Sequence, residues 1–420
     1  MLKSTVVLSA VFLLVCAVQP GQGFTTSDET SLRTALFATA GYDVSVRPNG
    51  STTVSLSLVP TSLNNIDIKA QTMSISGWWD MTWEDERLTW APSSYANIAE
   101  THVFQDEVWT PTIVVYNSVN NLAAIDEDTI PLRILSTGTL QWSPPGILLV
   151  SCSTDIRFFP FDSQTCSVSV KTFGYTIQEL VLEADADDLD LSYYSKNGEW
   201  NLLDAWTSNV DFRNYSQVTF YFKYKRKPAY YGLNLIMPVM MMAVLGLFIF
   251  VLPAESGEKM GFSLTVMLTF VVLMTILGSQ MPTTADHTSV FEVYVILVLT
   301  LCSMSVVFSI ISLNLYFREV DQPVPKRYRD VTRFVVRLLC KEEYYKKQTF
   351  STPVTKLGSA SLTDLRPSTR QRSEVPEDAH DEQEVTWKMM SHVLDAFLLR
   401  AYIAVTALVT LITFCNMLAG

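Results

Sequence analysis

Three hydrophobic patterns succeed one another along the chain. From Ser27 to Ala40 a Thr-Ser-Asp opening rich in capping residues leads into a short helical period. From there to Lys227 the period falls to two. Val54, Leu56 and Leu58 alternate with serines, and Ile66 to Trp83, Leu132 to Trp142 and Val218 to Tyr224 behave alike, with Pro, Gly and Asn between them. Strands at this spacing, with no long helix between them, predict an antiparallel β-sandwich. The third pattern is continuously apolar. Tyr230 to Leu252, Met260 to Leu277, Val290 to Leu315 and Phe397 to Leu418 are each long enough to cross about 30 Å of hydrocarbon as a helix. A sandwich carrying a short N-terminal helix, followed by an all-α four-helix transmembrane bundle, is the fold these patterns predict.

The ends of the pattern set its orientation. Lys3 precedes an apolar run from Val6 to Val18, and Gly21 and Gly23 suit cleavage, so residues 1–23 read as a secretory signal. The sandwich, residues 24–228, is then extracellular. Residues 229–316 hold the first three spans, 317–394 a cytoplasmic region and 395–420 the fourth span, which places both termini outside the plasma membrane. The basic stretch Lys326 to Lys347 agrees with the positive-inside tendency. Within it, Val331, Phe334, Val335, Leu338 and Leu339 form a helical stripe suited to the inner membrane surface, where lipid is a partner. Ser351 to Asp381 is polar enough to predict disorder, and Glu384 to Leu399 predicts a helix entering the last span.

Export changes the meaning of the cysteines. Cys16 leaves with the signal, Cys302 and Cys415 lie in apolar runs, and Cys340 lies in the basic stretch. Cys152 and Cys166 remain in the oxidising compartment and are expected to pair. The loop they would close has thirteen residues, Ser153 to Thr165. Asn49 and Asn214 head glycosylation sequons that suit an exported surface. From Phe24 to Pro228 there are about 25 acidic against about 13 basic side chains, which disfavours nucleic acid and concentrates cations.

The second span is the most informative. Glu258-Lys259 stands at its start, and at helical spacing Glu258, Gly261, Thr265, Leu268, Val272, Thr275 and Ser279 fall along one stripe. A carboxylate facing lipid would be costly. Around a central axis, several copies would line a water-filled pore, with an acidic ring at its inner mouth and an apolar constriction at Leu268 and Val272. An interfacial Glu-Lys pair, with threonines bonding back to their own helix, is the alternative.

The thirteen-residue spacing and Phe159-Pro160-Phe161-Asp162 resemble the defining loop of the Cys-loop receptor family. Further matches follow in the family's order: Trp78, Met81-Thr-Trp83 and Trp90, then Trp109-Thr-Pro111, Tyr116-Asn-Ser118 and Pro144-Pro-Gly146. After them come Tyr230-Tyr-Gly-Leu-Asn234, Gly257-Glu-Lys259 and Met281-Pro282. Together they resemble the nicotinic acetylcholine receptor branch. The resemblance implies a homo- or hetero-pentamer around a pore for monovalent cations. A small-molecule agonist, an amine or similar, would sit between neighbouring sandwiches in an aromatic box. One face of that box would carry Tyr116, Phe173 and Tyr215, and the other Trp78, Gln141 and Ser143. Strand parity agrees for Trp78, since Met81 and Trp83 share the opposite, core-facing side. The resemblance also implies that Arg226 pairs with Asp162, and that this pair, the Phe159–Phe161 tip and the Met281–His287 linker couple binding to gating.

The chain departs from the branch in places. Phe173 stands where tryptophan is usual, and the segment from Trp200 to Tyr215 is short and lacks the adjacent cysteine pair of acetylcholine-binding subunits. These departures tell against acetylcholine itself; Trp206 and Phe212 are candidates for that segment's aromatic surface. Gly261 replaces a small hydroxyl residue, and Ser279 an acidic ring. The missing cysteine pair keeps open a second reading, a non-conducting binding or assembly subunit. The four histidines lie in different segments with no metal or triad spacing, and no nucleophile elbow, HExxH or phosphate loop is present. Neither an enzyme nor a cofactor is expected.

Overall fold

The computed structural model describes residues 24–186, 188–280, 288–318, 324–339 and 385–419. The signal, the Met281–His287 linker with Met281-Pro282, and the stretch from Ser351 to Asp381 lie outside the described residues. The chain divides into two compact units. Of the described residues, one holds 24–156 and Phe161–Lys227; the other holds Arg157–Pro160 and those from Pro228 onward.

The first unit opens with helix α1 (Thr26–Arg33), whose Thr25 hydroxyl accepts from the Asp28 N–H while the Asp28 carboxylate accepts from Thr25 N. This reciprocal cap satisfies donors that a helix start leaves free. The helix runs on as a wider turn through Thr34–Thr39. Among the described residues eleven strands follow: β1 (Thr52–Asp67), β2 (Thr72–Glu84), β3 (Glu100–Val103), β4 (Ile113–Val115), β5 (Leu132–Leu135), β6 (Thr139–Trp142), β7 (Pro145–Ser151), β8 (Ser163–Thr172), β9 (Leu180–Ala184), β10 (Trp200–Asn209) and β11 (Gln217–Arg226). One sheet has the order β3-β5-β6-β2-β1-β9, with β7 also on β2; the other is β10-β11-β8-β4. The pairing is antiparallel except for β1 with β9. The core between the sheets is rich in aromatic rings, with Trp79, Trp83, Trp142, Trp200, Phe220, Phe222 and Tyr224 buried beside Met81. Two of the alternating stretches divide. Ile66 to Trp83 is β1 and β2 joined by a turn at residues 68–71, and Leu132 to Trp142 is β5 and β6 joined through Gly138.

Among the described residues, four helices of the second unit are long and apolar enough to cross a membrane. They are α2 (Met237–Val251, entered through Ala229–Tyr231 and a wide turn at Gly232–Ile236), α3 (Lys259–Gln280), α4 (Val290–Tyr316) and α6 (Trp387–Ala419). The wide turn precedes Pro238, which has no N–H to give the helix. Between α4 and α6, α5 (Lys326–Leu338) packs through Val336 and Leu339 against Val393 and exposes Val331, Phe334 and Leu338. Gly257, at φ 71°, makes the left-handed turn between α2 and α3 that a side chain would strain. Gly246 lets α6 come close: a Cβ there would stand 2.3 Å from the Tyr402 hydroxyl.

Helical spacing explains how α3 packs. Lys259, Ser263, Val266, Phe270 and Leu277 recur at helical spacing and are buried. Lys259 is wholly covered, and its Nζ donates to Asp395 Oδ2 on α6 at 2.7 Å. Such a pair relieves two charges that would each be costly alone in apolar surroundings.

Candidate functional site

The first candidate face lies where β4, β8 and β11 end. Tyr116 follows β4 and is fixed by its N–H to Ser169 O at 2.8 Å. Beyond β10 the chain turns in a tight hairpin. Phe212 and Tyr215 exchange backbone hydrogen bonds of 2.9 and 3.0 Å, and Arg213 and Asn214 between them have φ of 50° and 69°. Positive φ at both central residues matches the twist of a two-residue hairpin, so the loop is short and closed. The Tyr116, Phe212 and Tyr215 rings surround one ammonium, that of Lys171. Its Nζ lies 5.3, 5.1 and 4.5 Å from the three centroids. Phe173, just past the end of β8, is 66% exposed. Trp206 is elsewhere on the sheet, stacked on Tyr221 with centroids 5.2 Å apart.

The second face lies on the other sheet. Trp79 is buried and Trp78 only half-buried, as strand parity requires. Trp78 meets Tyr193 edge to face at 5.1 Å. Asp80 ties this face together, accepting from Ser143 Oγ at 2.7 Å and from Trp78 Nε1 at 3.4 Å. Gln141 accepts from Arg133 Nε at 3.1 Å. Neither Asp80 nor Lys171 was singled out by motif. The alternation Ser167, Ser169, Lys171, Phe173 against buried Val168, Val170 and Thr172 was the available signal for Lys171.

Cys152 and Cys166 are bonded. In the first unit, Arg226 Nε donates to Asp162 Oδ1 at 2.8 Å and Nη2 to Oδ2 at 3.2 Å, with both side chains buried. Arg226 Nη1 reaches the half-exposed Glu199 at 2.8 Å, and the guanidinium lies 4.1 Å from the Trp200 ring centroid. Gln164 Nε2 donates to Asp162 Oδ2 at 2.5 Å. In the second unit, Phe159 stands edge-on to Tyr231 at 5.1 Å and beside Phe291, and Val290 N donates to Arg157 O at 3.0 Å. Pro160 is buried, and Phe161 is half-buried in the first unit.

Glu258, just before α3, and Gly261, Thr265, Leu268, Val272, Thr275 and Ser279 on it are all left uncovered within the chain, away from the buried stripe. Thr265, Thr269 and Thr275 donate to carbonyls one turn back at 2.8, 2.8 and 2.9 Å, and Ser279 to Ile276 O at 2.7 Å. This spends the hydroxyl protons and leaves oxygen lone pairs outward. The sequons differ in setting: Asn49 is half-buried in a bend, and Asn214 is exposed at the hairpin tip. Among the described residues no group of His, Cys, Asp and Glu is placed to hold a metal ion.

The neurotransmitter-gated ion-channel ligand binding domain matches residues 29–228, and the neurotransmitter-gated ion-channel transmembrane region matches residues 235–383. The chain is 33% identical over 347 residues to acetylcholine receptor subunit beta-type lev-1 of Caenorhabditis elegans, covering 80% of this chain and 68% of that one. It is 31% identical over 318 residues to neuronal acetylcholine receptor subunit alpha-2 of Rattus norvegicus, covering 73% and 61%. Against acetylcholine receptor subunit alpha-1-B of Xenopus laevis it is 27% identical over 446 residues, covering 97% and 96%.

Proposed function

We propose, for a chain that belongs to the neurotransmitter-gated ion-channel family, that it is a cation-selective, agonist-gated subunit of a pentamer in the plasma membrane, with both termini outside. Members of this family are channel subunits and not enzymes. The observation that carries the finer reading is the stripe of α3. Its hydroxyls, Leu268, Val272 and the Glu258 carboxylate just before it share one uncovered side, while the opposite side is packed. Five such sides around an axis would make a hydrated pore for monovalent cations, with Glu258 as its acidic inner ring. The acidic sandwich would add to the cation concentration at the entrance.

The agonist, a small molecule, would lie between neighbouring sandwiches. Tyr116, Phe173, Phe212 and Tyr215 would meet it from one subunit, and Trp78, Gln141 and Ser143 from the next. Trp206 would buttress the hairpin through its stack on Tyr221. Gating would pass through the buried Arg226–Asp162 pair, since Arg226 ends the strand that continues into the first membrane helix, and through the Phe159 tip.

The short hairpin, with no cysteine pair, favours as a second reading a binding or assembly subunit that conducts only beside other subunits. Voltage clamp of cells expressing this chain alone, during application of small amines and small carboxylates, tests the proposal. It expects an evoked current whose reversal potential follows external sodium, and a smaller conductance in Glu258→Gln. A reversal potential that follows chloride would overturn cation selectivity.

A further inference from the structure

We propose that the aromatic box of this chain is filled by its own ammonium, Lys171, and that the site therefore takes an organic anion in place of a free amine. The inference rests on the reading of this face as the agonist site.

Three rings from two separate segments converge on Lys171 Nζ, at 4.5 Å for Tyr215, 5.1 Å for Phe212 and 5.3 Å for Tyr116. All three lie within the roughly 6 Å at which a ring face attracts a cation. The strand forces the arrangement. Val168, Val170 and Thr172 are buried, so Lys171 must project from the other side of β8, and it pairs in register with Gln217, two residues after Tyr215. The tight hairpin then brings Phe212 and Tyr215 over it.

A second cation stands near one of the same rings. The Arg213 guanidinium carbon lies 5.2 Å from the Phe212 centroid. Among the described residues, neither Lys171 nor Arg213 forms an ion pair. A free amine entering here would have to expel Lys171 from three rings and meet its like charge. A carboxylate meets no such obstacle. It accepts charge-assisted hydrogen bonds from Lys171, and an apolar body attached to it can lie on the exposed faces of Tyr116 and Phe173. Lys171 is thus the specificity-determining residue of the site.

The test is isothermal titration of the purified full chain with two probes, benzoate and tetramethylammonium, in the wild type, Lys171→Gln and Lys171→Arg. Wild type and Lys171→Arg are expected to bind benzoate and not tetramethylammonium. Lys171→Gln should lose benzoate affinity by about tenfold or more and gain tetramethylammonium affinity by a similar factor, because the box no longer has an internal competitor. Wild-type binding of tetramethylammonium as tight as that of Lys171→Gln, or benzoate binding untouched by Lys171→Gln, would overturn the inference and leave the face standing as a ligand site. If no variant binds either probe while its disulfide and oligomeric size are intact, the ligand-site reading fails and the inference fails with it.

Discussion

Replacing Arg226 with glutamine would strand Asp162, a carboxylate that is 3% exposed and would keep the Gln164 amide as a donor. Removing one partner of a buried pair costs about 3–5 kcal/mol, since the remaining charge has lost both water and partner. Arg226→Gln should fall at the upper end, because the substitution also empties the space over Trp200. Asp162→Asn should cost less, about 3 kcal/mol, since Arg226 keeps Glu199 at 2.8 Å and the Trp200 face. Glu199 has a side chain 43% exposed to water, so Glu199→Gln should cost about 1 kcal/mol or less. The double neutralisation Arg226→Gln with Asp162→Asn leaves no stranded charge and should cost less than the sum of the singles by about 2 kcal/mol or more. Thermal unfolding of the detergent-purified chain, with surface labelling in cells, reads the series. Strict additivity of the two singles, or a Glu199→Gln variant as damaged as Arg226→Gln, would refute direct pairing as the source of the stability.

Other consequences follow from the packing. Lys259→Met should leave Asp395 buried without its ammonium and sharply reduce surface protein, whereas Lys259→Met with Asp395→Leu should restore most of it; a double variant no better than the single would contradict this. Gly246→Ala should cost about 1–3 kcal/mol by overpacking against Tyr402, and Tyr402→Phe, which removes the hydroxyl, should recover part of it in a melting experiment. Separating Cys152 from Cys166 by Cys152→Ser with Cys166→Ser should cost about 3 kcal/mol through the freedom returned to the unfolded chain, read as a lowered melting temperature.

Periodicity made the architecture legible. The apolar run expected from Tyr230 to Leu252 is the helical stretch Ala229–Val251, and the period-two stretches are strands, because burial on one side imposes the same spacing on sequence and structure. The division of Ile66 to Trp83 was not legible, since residues 68–71 read Ile-Lys-Ala-Gln and the bend is carried by Gln71 at φ 55°, with no glycine, proline or asparagine to mark it. Contacts between distant segments were hidden too. Lys259 meets Asp395, 136 residues away, and nothing local to either names the other. The setting of Lys171 is hidden for a related reason. Its strand parity was readable, but the rings that receive it come from the end of β4 and from a hairpin whose closure depends on two residues in the left-handed region.

The central claim, that this chain lines a cation pore closed near Leu268, can be tested without knowing the agonist. Leu268→Thr is expressed alone in an otherwise silent cell, and resting current is recorded while external sodium is replaced by a large impermeant cation. The account predicts a leak absent from the wild type, with a reversal potential that moves with sodium. Surface-expressed Leu268→Thr with no leak, or a leak indifferent to sodium, would contradict it.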